Sequence, residues 1–281
     1  MLKNYLTYPC KVMRITQNYL GKTSHYPHTA GYPKDYPIDE GGKDTGRDGL
    51  YCACDEMKIV KIYGVGNGGT NTLWFESTSK VHFADGTCDY ACGMAIHPND
   101  SDFKSLYVGK KFKRGDLICR EGTDGATANH LHISFGKGKI KGSGWVKNSK
   151  GKWVLNCTGG AFKPEELFYI DPDFTKVLSK GSLNFKTLPE EKEYTPGKYK
   201  VTGTNVLRIR PTPGTDKPYK KFSELSASAQ KKIKALNGGK PADGYVRGLE
   251  FTVTKVKDNW GYNNSGYMCL DYCERWRCKN G

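Results

Sequence analysis

Polar and apolar side chains alternate through His130-Leu131-His132-Ile133-Ser134-Phe135, the period-two pattern of a β-strand. Residues two apart on a strand share a face, so His130 and His132 project together while Leu131 and Ile133 turn the other way. The small-residue run 122–129, GTDGATAN, reads as a loop that a substrate can approach closely. Similar short runs predict strands over 11–19, twice within 50–63, over 71–78, 81–83 and 94–97, and after the turn at 108–115. Ile38 and Asp39 read as a strand end, and Leu20–Lys34 as a long polar loop. Up to residue 135 no segment has the spacing of an amphipathic helix. Lys163–Asp171 predicts one short helix, with Pro164 at its start.

The stretch 177–197, with its Lys-Gly, Pro-Glu-Glu and Thr-Pro-Gly runs, reads as a linker between a first domain, 1–176, and a second, 198–281. Short strands separated by turns predict a small barrel for the second domain. Within it, Phe222, Leu225, Ala229, Ile233 and Leu236 recur every three or four residues, which predicts a helix over 222–237. Ser223 is its expected N-cap and Gly238 its stop. The expected fold is mainly β: an antiparallel-sheet domain followed by a small barrel with a helical insertion.

Hydrophobic residues make up 37 % of the 281 residues, mean hydropathy is −0.66, and no apolar run approaches the roughly 20 residues of a membrane span. Nor do residues 1–19 contain the apolar core of a secretory signal. Formal charge is +15, and residues 197–281 carry 17 basic against 7 acidic side chains, net +10. Such a module suits a polyanion, either nucleic acid or the anionic polymers of a bacterial wall. No RNA-binding signature accompanies the charge, so nucleic acid is not the expected partner. Ten cysteines without a secretory signal predict free thiols rather than a disulfide framework. No paired-carboxylate site of the kind a glycosidase needs is evident.

Five of the six histidines, His25, His28, His97, His130 and His132, fall in the loop before Asp39, at a strand end, or on the HLH strand. Two imidazoles sharing a strand face can hold one metal ion, or supply one ligand and an acid–base group beside it. A carboxylate at Asp39 would complete a three-ligand set.

Over about residues 11–140 the chain resembles the M23 (lysostaphin-like) metallopeptidases. The resemblance is carried by ITQNY, Ile38-Asp39, MAIH, VGKKFKRGDLI, EGTDGATANH and HLHISFG. It implies a zinc site in which Asp39 and His132 are ligands, with His97 and His130 as the two non-ligand histidines. The family's His-x3-Asp would put the first ligand at position 35, which is Asp here. His28 is the expected substitute over a longer spacing, with His25 or Asp35 as alternatives. Residues NVLRIRPTPG and NWGYNNSGYMCLDY resemble a bacterial SH3 (SH3b) domain, which implies binding to cell-wall peptide or glycan. Tyr199, Trp260, Tyr262, Tyr267 and Tyr272 are the expected aromatic platforms. Together the resemblances imply a monomeric phage or prophage endolysin, made in a host cytoplasm and released to cut Gram-positive peptidoglycan. The alternative is an inactive M23-like wall-binding or phage structural protein.

Overall fold

The computed structural model describes residues 4–64, 70–189, 194–214 and 217–275. Most of the glycine-rich segment 64–70, between the strands expected within 50–63 and over 71–78, lies outside them. The protein is mainly β, with antiparallel sheets predominating. It divides into two compact units, the first ending at Pro189 and the second beginning at Glu190.

The first unit is built on an eight-stranded sheet. Its order across the sheet is Lys176–Ser179, Val12–Gln17, Ile38–Glu40, Leu131–Lys137, Ala91–Ile96, Thr72–Ser77, Glu56–Tyr63 and Lys111–Lys113. All pairings are antiparallel except the outermost one, between Val12–Gln17 and Lys176–Ser179. Leu131 and Ile133 are buried in the main core, as the alternation predicts. That core also includes Met13, Ile15, Ile38, Leu73, Phe75 and Phe135. The hairpin Ile140–Lys147 and Trp153–Cys157 belongs to a second apolar cluster, in which Leu155 and Trp145 join Trp74 and Met94.

Two expectations change here. The stretch 177–189 is not linker: Lys176–Ser179 adds an edge strand, Lys186–Thr187 pairs with Tyr169–Ile170, and Leu183 and Phe185 are buried. Its few apolar residues, scattered among Lys and Gly, are enough because they enter a core that the rest of the unit already provides. The loop 20–34 contains a short helix, Tyr26–Ala30, with Pro27 in its first turn. The short helix expected near 163–171 forms at Pro164–Leu167.

In the second unit, Glu250–Val253, Gly197–Val201 and Cys273–Arg275 form one antiparallel sheet. Lys255–Lys257, Trp260–Asn263 and Gly266–Cys269 form a second, and Val206–Leu207 pairs with Tyr245–Val246. The inserted helix is Ala227–Leu236, and it buries Ala229 and Ile233. Its cap is Ser226, not Ser223: the Ser226 hydroxyl accepts from Ala229 N at 3.2 Å. Residues 222–224 form a separate 3-10 turn. Gly238, at φ 59°, takes the left-handed position that ends the helix.

Candidate metal centre

Asp39 and His132 are paired residues on the adjacent antiparallel strands Ile38–Glu40 and Leu131–Lys137. Paired residues share a face of the sheet, and Asp39 Oδ1 lies 3.1 Å from His132 Nδ1. His25, at the N-cap of the helix Tyr26–Ala30, reaches the same oxygen with Nε2 at 3.2 Å. Donor atoms of the three residues all lie within 4.8 Å of one another.

The surroundings of His25 fix its role. It is 2 % exposed, and its Nδ1 is 3.3 Å from the carbonyl of Asn18. A carbonyl can only accept, so Nδ1 donates to it, and Nε2 is the nitrogen turned to Asp39 that would ligate an ion. Burial pushes the Asp39 carboxyl upward, but the hydrogen bonds from His132 and His25 more than offset it and leave Asp39 well below the usual carboxylate range. Ligands about 2.0–2.1 Å from a tetrahedral ion stand roughly 3.3 Å from one another, close to the 3.1 and 3.2 Å separations from Asp39. Two imidazoles and one carboxylate are also a donor set that zinc accepts. His25, Asp39 and His132 therefore form a candidate metal site.

His97 and His130 stand beside the trio. Their ring centroids are 4.7 Å apart, and His130 Nε2 is 3.8 Å from Asp39 Oδ1. Each ring is pinned by a carbonyl: His97 Nδ1–H donates to Asp124 O at 2.6 Å, and His130 Nδ1–H to Ala128 O at 2.9 Å. In each ring Nε2 is the nitrogen left facing the trio. Burial is the main cause of a lowered His97 pKa, with His130 and His132 adding to it, so His97 is neutral at pH 7.

His97 directly follows the strand Ala91–Ile96 and has φ 70°, a strained conformation for a residue with a side chain. The backbone bond from His97 N to Asn71 O, 3.0 Å, holds it there. Gly122 lets the neighbouring loop close in: its carbonyl accepts from His130 N at 3.1 Å. A Cβ on Gly122 would meet Asn99 Cα at 2.8 Å and His97 O at 2.9 Å. Gly122, Asn18 and Asp124 thus position site residues, and only Gly122 and Asp124, in the small-residue loop, had any signal in the sequence.

The structure groups His25, not the expected His28, with Asp39 and His132. His25 and His28 lie at the N-cap and within the first turn of one short helix, neighbours that sequence spacing alone does not separate. The His28 ring centroid is 5.9 Å from that of His132, and its buried Nδ1 has no hydrogen-bond partner. Burial, followed by His132, lowers its pKa to about 4. Asp35, the other alternative, is 1 % exposed and committed elsewhere. Its Oδ2 accepts from Ser134 Oγ and Leu155 N, both at 3.0 Å, and its Oδ1 from Tyr36 N at 2.8 Å.

In the second unit, Tyr199 is not a surface platform. It is 1 % exposed in the core, and its hydroxyl donates to Thr195 O at 2.7 Å. Trp260 is largely buried, and Tyr262 and Tyr267 pack at 4.9 Å between centroids. Tyr272 is 45 % exposed. All nine described cysteines are free thiols, and only Cys88 among them is exposed. No helix among the described residues is long and apolar enough to cross a membrane.

No family model matches the chain. Among solved structures it is similar to the antimicrobial peptidase lysostaphin from Staphylococcus simulans, at 16 % identity and a TM-score of 0.31 over 100 % of this chain and 95 % of that one. It is also similar to the NMR solution structure of lysostaphin, at 15 % identity and a TM-score of 0.32 over 99 % and 95 %.

Proposed function

We propose that the chain is a zinc-dependent endopeptidase that hydrolyses a peptide bond in the stem or cross-bridge of Gram-positive peptidoglycan. The observation that carries this reading is the trio itself: His25 and His132 both within 3.2 Å of Asp39 Oδ1, with two more histidines alongside. The M23 motifs in the sequence support the substrate class.

His25, Asp39 and His132 would hold the ion. Zinc bound there supplies a Lewis acid for the scissile carbonyl and a water acidified toward pH 7. Asp39 and the two rings would bind as lone-pair donors, so His25 Nε2 and His132 Nδ1 would each give up any hydrogen shared with Asp39. One of His97 and His130 would act as base first, each held by its Nδ1–H on a carbonyl with Nε2 free to accept, while the other orients the water. Having taken the proton of the attacking water, that ring becomes an imidazolium. It stabilises the oxyanion and then returns the proton to the departing amine, so no net proton is gained or lost at the ring.

The second unit is read as an SH3b-like wall-binding domain. It would raise the concentration of peptidase at its substrate without adding a catalytic contact. The M23-like and SH3b-like motifs together support a phage or prophage endolysin acting as a monomer on the wall. The test is metal content together with lysis of purified Gram-positive walls, followed by product analysis. New α-amino groups from stem or bridge residues identify an endopeptidase; release of the lactyl-linked amine would identify an amidase instead.

A further inference from the structure

The second unit contains a cavity of about 270 Å³ whose lining includes Arg208, Arg210, Trp260, Tyr272 and Thr204. We propose that it binds an anionic oxygen group, a carboxylate or a phosphate, carried on the wall polymer. This rests on the reading of the second unit as wall-binding and gives that unit a specific ligand chemistry.

Arg210 carries the argument. It is 8 % exposed, and among the described residues no carboxylate lies within ion-pairing distance of its guanidinium. Its guanidinium nitrogens are not among the fully buried polar atoms, so the unpaired charge stays available to an anion at the cavity wall. Arg208, beside the same cavity, is exposed, and the acid whose charge reaches it, Asp243, is salt-bridged to Lys221. Its guanidinium stacks on Tyr219 at 4.0 Å from the ring centroid, which orients it without neutralising it. Neighbouring acids are engaged elsewhere: Asp271 accepts from Tyr194 Oη at 2.8 Å and from Asn259 Nδ2, and Asp243 pairs with Lys221 at 3.3 Å.

The cavity is built on paired backbone. Arg210 N donates to Tyr267 O at 2.9 Å, and Tyr267 N to Arg210 O at 2.8 Å. Val206 and Leu207 pair with Val246 and Tyr245, and Trp260 pairs with Lys257 and Cys269. Two guanidinium groups on a preorganised wall suit carboxylate and phosphate oxygens, which accept two N–H bonds at once. Trp260 and the half-exposed Tyr272 give the rest of the ligand an apolar or ring surface to lie on. The volume accommodates one small group, not an extended chain.

The test uses the full chain and follows the Trp260 indole N–H by NMR, assigned with Trp260→Phe. The probes are N-acetylglycine, glycerol phosphate and, as the neutral control, N-acetylglycinamide, all at constant ionic strength. The proposal expects a saturable shift with at least one anion and none with the amide. A response to N-acetylglycine alone identifies a peptide carboxylate as the source, and a response to glycerol phosphate alone identifies a phosphate polymer. Arg208→Glu, at an exposed position that leaves the core intact, should weaken binding at least tenfold. The proposal is overturned if neither anion gives a saturable shift, if the amide shifts the signal equally, or if Arg208→Glu titrates like the parent. Zinc and hydrolysis are not read in this titration, so its failure would leave the peptidase reading untouched.

Discussion

Asp39 and His132 face each other in register across two antiparallel strands, with Asp39 Oδ1 3.1 Å from His132 Nδ1. Register holds the pair together, since a one-residue slip of either strand would turn one of them into the core. Asp39→Asn preserves the shape of the side chain and removes the charge that a cation needs. Zinc affinity should fall more than about 100-fold, beyond the 10–100-fold typical of outer partners. Calorimetric zinc titration of the two proteins reads this directly.

His25 and His28 separate in the same assay. His25→Ala removes a donor 3.2 Å from Asp39 and should abolish stoichiometric zinc. His28→Ala removes a ring whose Nδ1 has no partner, so about one zinc per chain should remain. The opposite pattern would move the first ligand to His28.

His97 and His130 should divide metal binding from turnover. Alanine at either position is expected to leave zinc bound and lower kcat about 10²–10⁴-fold, the usual contribution of a positioned acid–base group. Zinc stoichiometry and single-turnover rates on a soluble wall peptide, measured on the same samples, check both halves.

The sequence revealed the parts of this site that depend on periodicity. The HLH alternation placed His130 and His132 on one face, and the apolar Ile38 before Asp39 placed a carboxylate on a strand. His25 was not legible in the same way, because its partnership with Asp39 depends on how the loop 20–34 folds and on the Asn18 carbonyl that orients the ring. The same limit explains Tyr199. Its period-two neighbours Gly197 and Val201 do not distinguish a buried tyrosine from an exposed one, and the hydrogen bond to Thr195 O that makes burial tolerable is a product of folding. The extra edge strand at 176–179 was hidden for another reason. It is the outermost, parallel pairing of the sheet, and its Val177 and Leu178 are exposed rather than alternating.

Away from the site, the largely buried Lys137 ammonium is salt-bridged to Asp85, donates to Thr87 Oγ1 at 2.9 Å, and lies 4.0 Å from the Phe162 ring centroid. Burial raises the Asp85 pKa, but the hydrogen bonds from Lys137 and Thr87 outweigh it and hold the group below its ordinary value. A depressed carboxylate stabilises the fold above its unfolded pKa and ceases to do so as pH falls through the folded one. Lys137→Met should therefore cost about 2 kcal/mol at pH 7, less than the 3–5 of a fully buried pair because Asp85 is partly exposed. The difference from the parent should shrink as pH drops below about 4, the ordinary carboxylate range. Urea midpoints at pH 7 and pH 3 measure both effects.

The most direct measurement is zinc content of the purified chain by atomic absorption, paired with turbidity loss of Gram-positive walls before and after a chelator. The account predicts about one zinc per chain, the stoichiometry of a single three-ligand site, and lysis that stops on chelation and returns when zinc is restored. A chain that holds no zinc in excess metal, or walls that clear equally well in chelator, would contradict it.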